Sequence, residues 1–255
     1  MKTEGFSHHL SALVIASIAW VGFGGPALAQ ETRQPAPVIP PASDNDNPGS
    51  VLAIGGDGSS AGYSAFAAGT FALNGDLYAD GVLLRASGGV GEYNAGVKPF
   101  VTDTDVTFYN ASLLVGYQKR LGDVNVTGFV GPELIHNGRG ADPRVRGTEI
   151  AARVIGEIYA PGESVDLSVW STYSTFENQY FINARALVHD MPPAGGIGPD
   201  VSLFGGDGWQ RMRAGAHVSF PTTFGQVGVS SGYDWDLKGD VEESLYGSLI
   251  LSLPF

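Results

Sequence analysis

Cysteine is absent from all 255 residues. That removes disulfide frameworks, thiolate metal sites and cysteine nucleophiles together. Basic residues are scarce as well, 14 against 26 acidic ones, for a formal net charge of −12. The acidic balance argues against nucleic acid as a partner. Histidine is rarer still at five. Beyond residue 29 no segment approaches the ~18 uninterrupted apolar residues of a helical membrane span. No G-x-S-x-G elbow occurs. Gly55-Gly-Asp57 and Gly205-Gly-Asp207 read as strand-end turns, without the strand-to-helix setting of a phosphate loop.

What the chain does have begins at its N-terminus. Lys2 sits in a short polar stretch with His8 and His9. An apolar run of about 14 residues follows, and Ala27-Leu28-Ala29 makes a small-x-small cleavage site. The pattern predicts a signal peptide over residues 1–29 and an exported protein. Residues 30–49 carry Pro35, Pro37, Pro40, Pro41 and Pro48 with Asp44-Asn-Asp-Asn47, which predicts a Pro-rich disordered lead with no core. Residues 50–255 remain as one domain.

That domain alternates. Twelve strands are expected, near 50–58, 61–74, 80–94, 104–120, 123–134, 146–160, 163–176, 179–189, 196–205, 209–220, 224–235 and 243–255. Turn signals such as Asn74-Gly-Asp76 and Pro192-Pro193 mark one end; longer connectors at 94–103, 135–145 and 234–242 mark the other. Leu245, Gly247, Leu249, Leu251, Leu253 and Phe255 share one face of the last strand. A free aromatic terminus on such a strand resembles the closing strand of bacterial outer-membrane barrels. The resemblance implies that the barrel assembly machinery reads Phe255. Tyr109 and Tyr117 stand on one face, about 27 Å apart along a strand, and suit two membrane-interface girdles. The expected fold is all-β: an antiparallel up-and-down transmembrane β-barrel of about 12 strands, with outer-membrane lipid around it. A soluble sandwich would alternate too, with its charged face turned to water.

In a barrel the other face lines a lumen. The inward polar candidates are Arg85, Glu133, Glu149, Arg153, Glu157, Asp166, Arg185, Asp200, Arg211, Arg213 and His217. Two readings stand side by side. Either the charges pair with one another and fill the barrel, or the arginines align as a path for acidic or hydroxyl-rich solutes. Phe66, Phe129, Trp170, Phe181, Phe204, Trp209 and Tyr246 also face inward, either to stack on sugar rings or to fill the taper. His136 and His189 are the candidates for a lipid-modifying enzyme, although sequence places no serine near His136. Asp234, Asp236, Asp240, Glu242 and Glu243 read as an acidic outer loop, a weak Ca²⁺ candidate. No cofactor and no resident metal are expected, and the chain reads as non-enzymatic.

Short motifs recur in order along the domain: Ala72-Leu-Asn-Gly-Asp-Leu77 running into Gly81-Val-Leu-Leu-Arg-Ala86, Leu114-Val-Gly-Tyr-Gln118, Val145-Arg-Gly-Thr-Glu149 through Gly156-Glu-Ile158, and Leu245-Tyr-Gly-Ser-Leu249. With these the chain resembles the cellulose biosynthesis protein BcsS family over most of 50–255. The resemblance implies a role in cellulose or related exopolysaccharide production at the outer membrane, with glucan and cellulose secretion components as partners. It carries over no catalytic or binding residue. A scaffold or narrow conduit is the expected role, with a general small-solute porin as the alternative.

Overall fold

The computed structural model describes residues 48–59, 62–94, 105–138, 146–191, 194–238 and 243–255. The expected signal peptide and nearly all of the Pro-rich lead lie outside them. Twelve strands follow in order: β1 (Ser50–Ser59), β2 (Gly62–Ala72), β3 (Gly81–Asn94), β4 (Asp105–Leu121), β5 (Val124–Asn137) and β6 (Gly147–Ala160). Next come β7 (Val165–Ser174), β8 (Gln179–Met191), β9 (Ala194–Gly206), β10 (Trp209–Thr222), β11 (Gly225–Lys238) and β12 (Ser244–Pro254). Each pairs antiparallel with its sequence neighbours, and β1 pairs with β12, closing the barrel. Followed strand to strand, the register is offset by about 14 residues on return, which for twelve strands means a tilt of roughly 40°. The twelve-stranded antiparallel barrel expected from the alternation is therefore present. No helix among the described residues is long and apolar enough to cross a membrane, which says nothing about crossing by strands.

Alternation makes the wall two-sided, because successive side chains leave a strand on opposite faces. On β6, Ile150, Val154 and Ile158 are exposed while Arg153, Ile155 and Glu157 are buried. On β4, Tyr109 and Tyr117 are half exposed, on the face shared by the exposed Leu113 and Val115. Apolar side chains thus point out and charges point in, the inverse of a water-soluble sandwich.

Two sequence expectations change. Gly55-Gly-Asp57 is no turn: it lies inside β1, with Asp57 buried and accepting from Ser64 Oγ at 2.6 Å. The pairing explains it, since Gly55 faces Phe66, whose ring would lie 2.4 Å from a Cβ there. β5 and β11 outrun their expected ends, so Asp234 and Asp236 belong to strand, not loop. At the end opposite the chain termini, the connectors at 175–178 and 207–208 are short.

Two Gly-Pro pairs interrupt the ladders. Proline has no N–H to give. Around Gly131-Pro132, pairing of β4 with β5 lapses between Ser112↔Glu133 and Val115↔Val130. Around Gly198-Pro199, pairing of β8 with β9 lapses between Arg185↔Asp200 and Val188↔Ile197. Each pair is followed at once by an inward carboxylate, Glu133 or Asp200. The Gly131 site admits no side chain, since a Cβ would meet the Leu113 carbonyl oxygen at 2.2 Å.

Both mouths are narrowed from within. At the end carrying the termini, the β2–β3 connector turns inward and buries Leu77 and Tyr78. Gln118 Nε2 donates to the Leu77 carbonyl at 2.7 Å and to that of Ala79 at 3.2 Å. At the opposite end a single 3-10 turn, Phe176–Asn178, buries Phe176 near Tyr93, Val106, Phe108 and Ile135. Glu177 and Asn178 there are left-handed, at φ 51° and 50°, a conformation that costs non-glycine residues energy.

Candidate functional site: the barrel interior

Every inward arginine named from the sequence meets a carboxylate. Arg85 on β3 reaches over β4 and β5 to Glu157 on β6, with Nη1 2.5 Å from Oε1 and Nη2 3.3 Å from Oε2. Its guanidinium lies 4.0 Å from the centre of the Phe129 ring, and its Nε donates to Thr70 at 2.9 Å. Arg153 Nη1 donates to Glu133 Oε1 at 2.5 Å, which also accepts from Asn110 at 3.3 Å. Arg185 Nη2 donates to Asp200 at 2.5 Å, and Asn183 and Ser230 donate to the same carboxylate. Arg211 and Arg213 share Asp234, at 3.0 and 2.7 Å. The reading of mutually paired charges holds for all five.

The pairs are nearly dehydrated: the Arg153 side chain is 0% exposed and that of Glu133 2%. Attraction at such sites must first offset the cost of desolvating two ions, so a complete pair adds little, while a widowed ion costs about 3–5 kcal/mol. The network specifies how the lumen fills more than it deepens stability.

One expected member stands apart. Glu149 shares the inward face of β6 but is exposed at the rim. The reason is length: β7 ends at Ser174, opposite Arg153, so no strand flanks Glu149 on that side. Asp234 moves the other way, from expected loop to full burial beneath two guanidiniums. That placement withdraws it from any loop Ca²⁺ cluster. Asp240 and Glu242 lie outside the described residues, among which no group of three or more metal-ligating side chains occurs.

The inward aromatics form a row over four consecutive strands. Ring centres run Trp170 to Phe181 at 4.9 Å, Phe181 to Phe204 at 6.1 Å, and Phe204 to Trp209 at 6.0 Å. All four are buried. Their planes are tilted against one another by 31–66°, the edge-to-face habit of rings packed as core. Arg213 lies 5.0 Å from the rings of Phe204 and Tyr246. In this conformation the rings cover each other, and a sugar ring would have to displace one.

Histidine chemistry is tied up similarly. His217 Nδ1 is 2.8 Å from Ser230 Oγ, and that hydroxyl donates to Asp200 at 3.0 Å. The serine proton thus goes to the carboxylate and the serine oxygen takes the imidazole N–H, opposite to the order in which a histidine activates a serine. His189 Nε2 lies 3.0 Å from the Gly162 carbonyl. At His136 the sequence showed no nearby serine; the structure supplies Thr148, whose Oγ1 is 2.8 Å from Nδ1. Cross-strand register makes that pair, and nothing in linear spacing announces it.

Outside the barrel wall, the β2–β3 connector is pinned by charge. The Asp80 carboxylate accepts from Lys119 Nζ and from the Arg120 backbone N–H, and the Lys119 bond above all holds its carboxyl below the usual range. Burial pushes the Tyr78 phenol up, with Asp76 adding to the effect.

A family model described as cellulose biosynthesis protein BcsS matches residues 51–255, the whole barrel. No curated protein matches the chain. On that coverage the chain belongs to the cellulose biosynthesis protein BcsS family.

Proposed function

We propose that the chain is a non-catalytic outer-membrane barrel that assists cellulose biosynthesis as a closed scaffold, without an open path for glucan. The family gives the role in cellulose biosynthesis. The outer apolar face, carrying Leu113, Val115, Val154 and Ile158, is suited to lipid and poorly suited to water. The observation that carries the closed reading is the interior itself: Arg85 bound to Glu157 three strands away, the other four arginines paired to carboxylates on neighbouring strands, an aromatic row packed ring on ring, and a connector folded into one mouth.

A scaffold of this kind would hold cellulose secretion components at the outer membrane without handling the polymer in its lumen. Two measurements test it together. Deleting the gene should reduce extracellular cellulose, and restoring the full chain should recover it. The purified protein in planar bilayers should stay silent, with and without glucan oligomers. Steady conductance would return the assignment to a porin or a conduit, and unchanged cellulose output would remove the scaffold role.

A further inference from the structure

At the end opposite the chain termini, β7 stops at Ser174 and the chain turns inward through residues 175–178 before β8 begins. The Thr175 N–H donates to the Ala152 carbonyl at 2.9 Å, and Thr175 Oγ1 accepts from the Ala152 N–H at 2.9 Å. Those bonds set the turn at the height where Ala151 of β6 stands opposite Glu133 of β5. Phe176, the next residue, is buried in one packed cluster with Tyr93, Phe108, Ile135 and Ala151. Glu177 and Asn178 hold left-handed backbone, at φ 51° and 50°, which non-glycine residues adopt at a cost. On the far side the Asp207 N–H donates to the Glu177 carbonyl at 2.9 Å, and Asn178 Nδ2 donates to the Asp207 carboxylate at 3.1 Å. Pairing of β6 with β7 begins only at Arg153. Among the described residues, no strand blocks an outward swing of the turn.

Polar atoms beneath the turn are left unmet. Glu133 Oε1 accepts from Arg153 at 2.5 Å and from Asn110 Nδ2 at 3.3 Å, but Glu133 Oε2 has no hydrogen-bond partner. Asn110 Oδ1 and the Tyr93 hydroxyl have none either. Glu133 is 2% exposed, Asn110 6% and Tyr93 1%, and buried acceptors in this state are rare and costly. Register holds them close to the neighbours of Phe176: Asn110 stands opposite Ile135, and Glu133 opposite Ala151. The Tyr93 ring centre is 6.1 Å from that of Phe108, which shares the inward face of β4 with Asn110. Rings and unmet acceptors thus surround the one side chain that the strained turn inserts.

We propose that Phe176 is a displaceable stopper over a binding site for a neutral sugar ring at the outer mouth. When the turn swings out, a pyranose takes the place of the phenyl ring. Its apolar face packs on Phe108 and Tyr93, and its hydroxyls donate to Asn110 Oδ1 and Glu133 Oε2, with the Tyr93 hydroxyl able to donate or accept. A neutral ligand is favoured over a cation because Arg153 already balances the Glu133 charge and Asn110 carries none. Release of two left-handed residues offsets part of the lost Phe176 packing. The paired arginines and the aromatic row further in stay in place, so a chain end is held at the mouth and not passed on.

The choice of glucose as the sugar rests on the cellulose reading above; the site itself rests on the unmet acceptors. The test titrates cellotetraose into the full mature chain, held in a detergent without a sugar head, and follows binding by calorimetry. The wild-type chain binds saturably. Phe176→Ala binds about tenfold more tightly, because a stopper that is open a tenth of the time or less reduces apparent affinity by that fraction. Tyr93→Phe and Asn110→Ala each weaken binding about fivefold, the effect of one hydrogen bond. A thiol placed at Glu177→Cys reacts faster with iodoacetamide when cellotetraose is present. No saturable binding by either the wild-type chain or Phe176→Ala would overturn the proposal. So would unchanged affinity in Tyr93→Phe and Asn110→Ala, or binding of tetramethylammonium in place of the sugar. Steady bilayer conductance with cellotetraose binding intact would instead overturn the closed scaffold and leave this site standing.

Discussion

The two sides of the lumen are built differently. The wall from β5 to β10 supplies Arg153, Arg185, Arg211 and Arg213 and the row Trp170, Phe181, Phe204 and Trp209. The wall made by β11, β12, β1 and β2 has no inward arginine, and its inward positions are mostly small: Gly228, Ser230, Gly232, Ser248, Ser252, Ala53, Gly55, Ser64 and Ala68. One side reaches and the other receives. At Gly228, a Cβ would lie 2.8 Å from both the His217 ring and an Ile250 methyl. A twelve-stranded barrel is wide enough to leave a pore; here long side chains on one wall are matched by missing ones on the other, which is what the proposed closed scaffold requires.

That contrast can be broken most severely at its charged seam. Asp234→Ala would leave Arg211 and Arg213 buried beside an empty position, and should cost about 3–5 kcal/mol in a denaturant titration of the folded barrel in detergent. Replacing Trp170 by Ala removes the largest filler of the bulky wall and should cost a comparable or slightly smaller amount, about 3–5 kcal/mol. In the receiving wall the damage runs the other way, by crowding. Gly228→Ala should cost about 1–3 kcal/mol. The same change at Gly128, where the nearest atom to a Cβ is 4.0 Å away, should stay within about 0.5 kcal/mol. Equal costs at the two glycines would mean that the small wall is not a receptacle.

The smallest expected effect lies at the pinned connector. Asp80 is held below its ordinary pKa, so its contribution is complete above the unfolded carboxylate value of about 3.9 and is lost as pH falls through the folded value. Pepsin should therefore spare the Leu77–Tyr78 region of the wild-type chain near pH 5 and cut it progressively at lower pH. In Asp80→Asn that added acid sensitivity should be gone. A wild-type connector cut equally across the range would detach the Asp80 bonds from its inward fold.

Much of this was legible in the chain. Period-two alternation gave all twelve strands and put Arg85, Arg153, Arg185, Arg211 and Arg213 inside, because a strand's faces follow from parity alone. What parity does not carry is height. The partner of Arg85 lies 72 residues away, and reaching it depends on tilt and register accumulated over three strand junctions. The same gap hid Thr148 beside His136, and it left Asp234 in a loop when its strand runs on to Lys238. Glu149 was given the right face and the wrong surroundings. The inward fold of Leu77 and the burial of Phe176 were also out of reach, since a connector's direction is set by the mouth it closes over and not by its own residues. The membrane expectation is compatible with the outward apolar face.

The absence of cysteine makes a direct test of that face clean. Single cysteines at Tyr109, Ala111, Leu113, Val115 and Tyr117, all outward on β4, can each carry one fluorophore in a reconstituted bilayer. Quenching by brominated lipid chains should rise from Tyr109 to Leu113 and fall again toward Tyr117, while quenching by aqueous iodide should run the opposite way. Strong iodide quenching at all five positions, with none from the brominated chains, would contradict a barrel that turns this face to lipid.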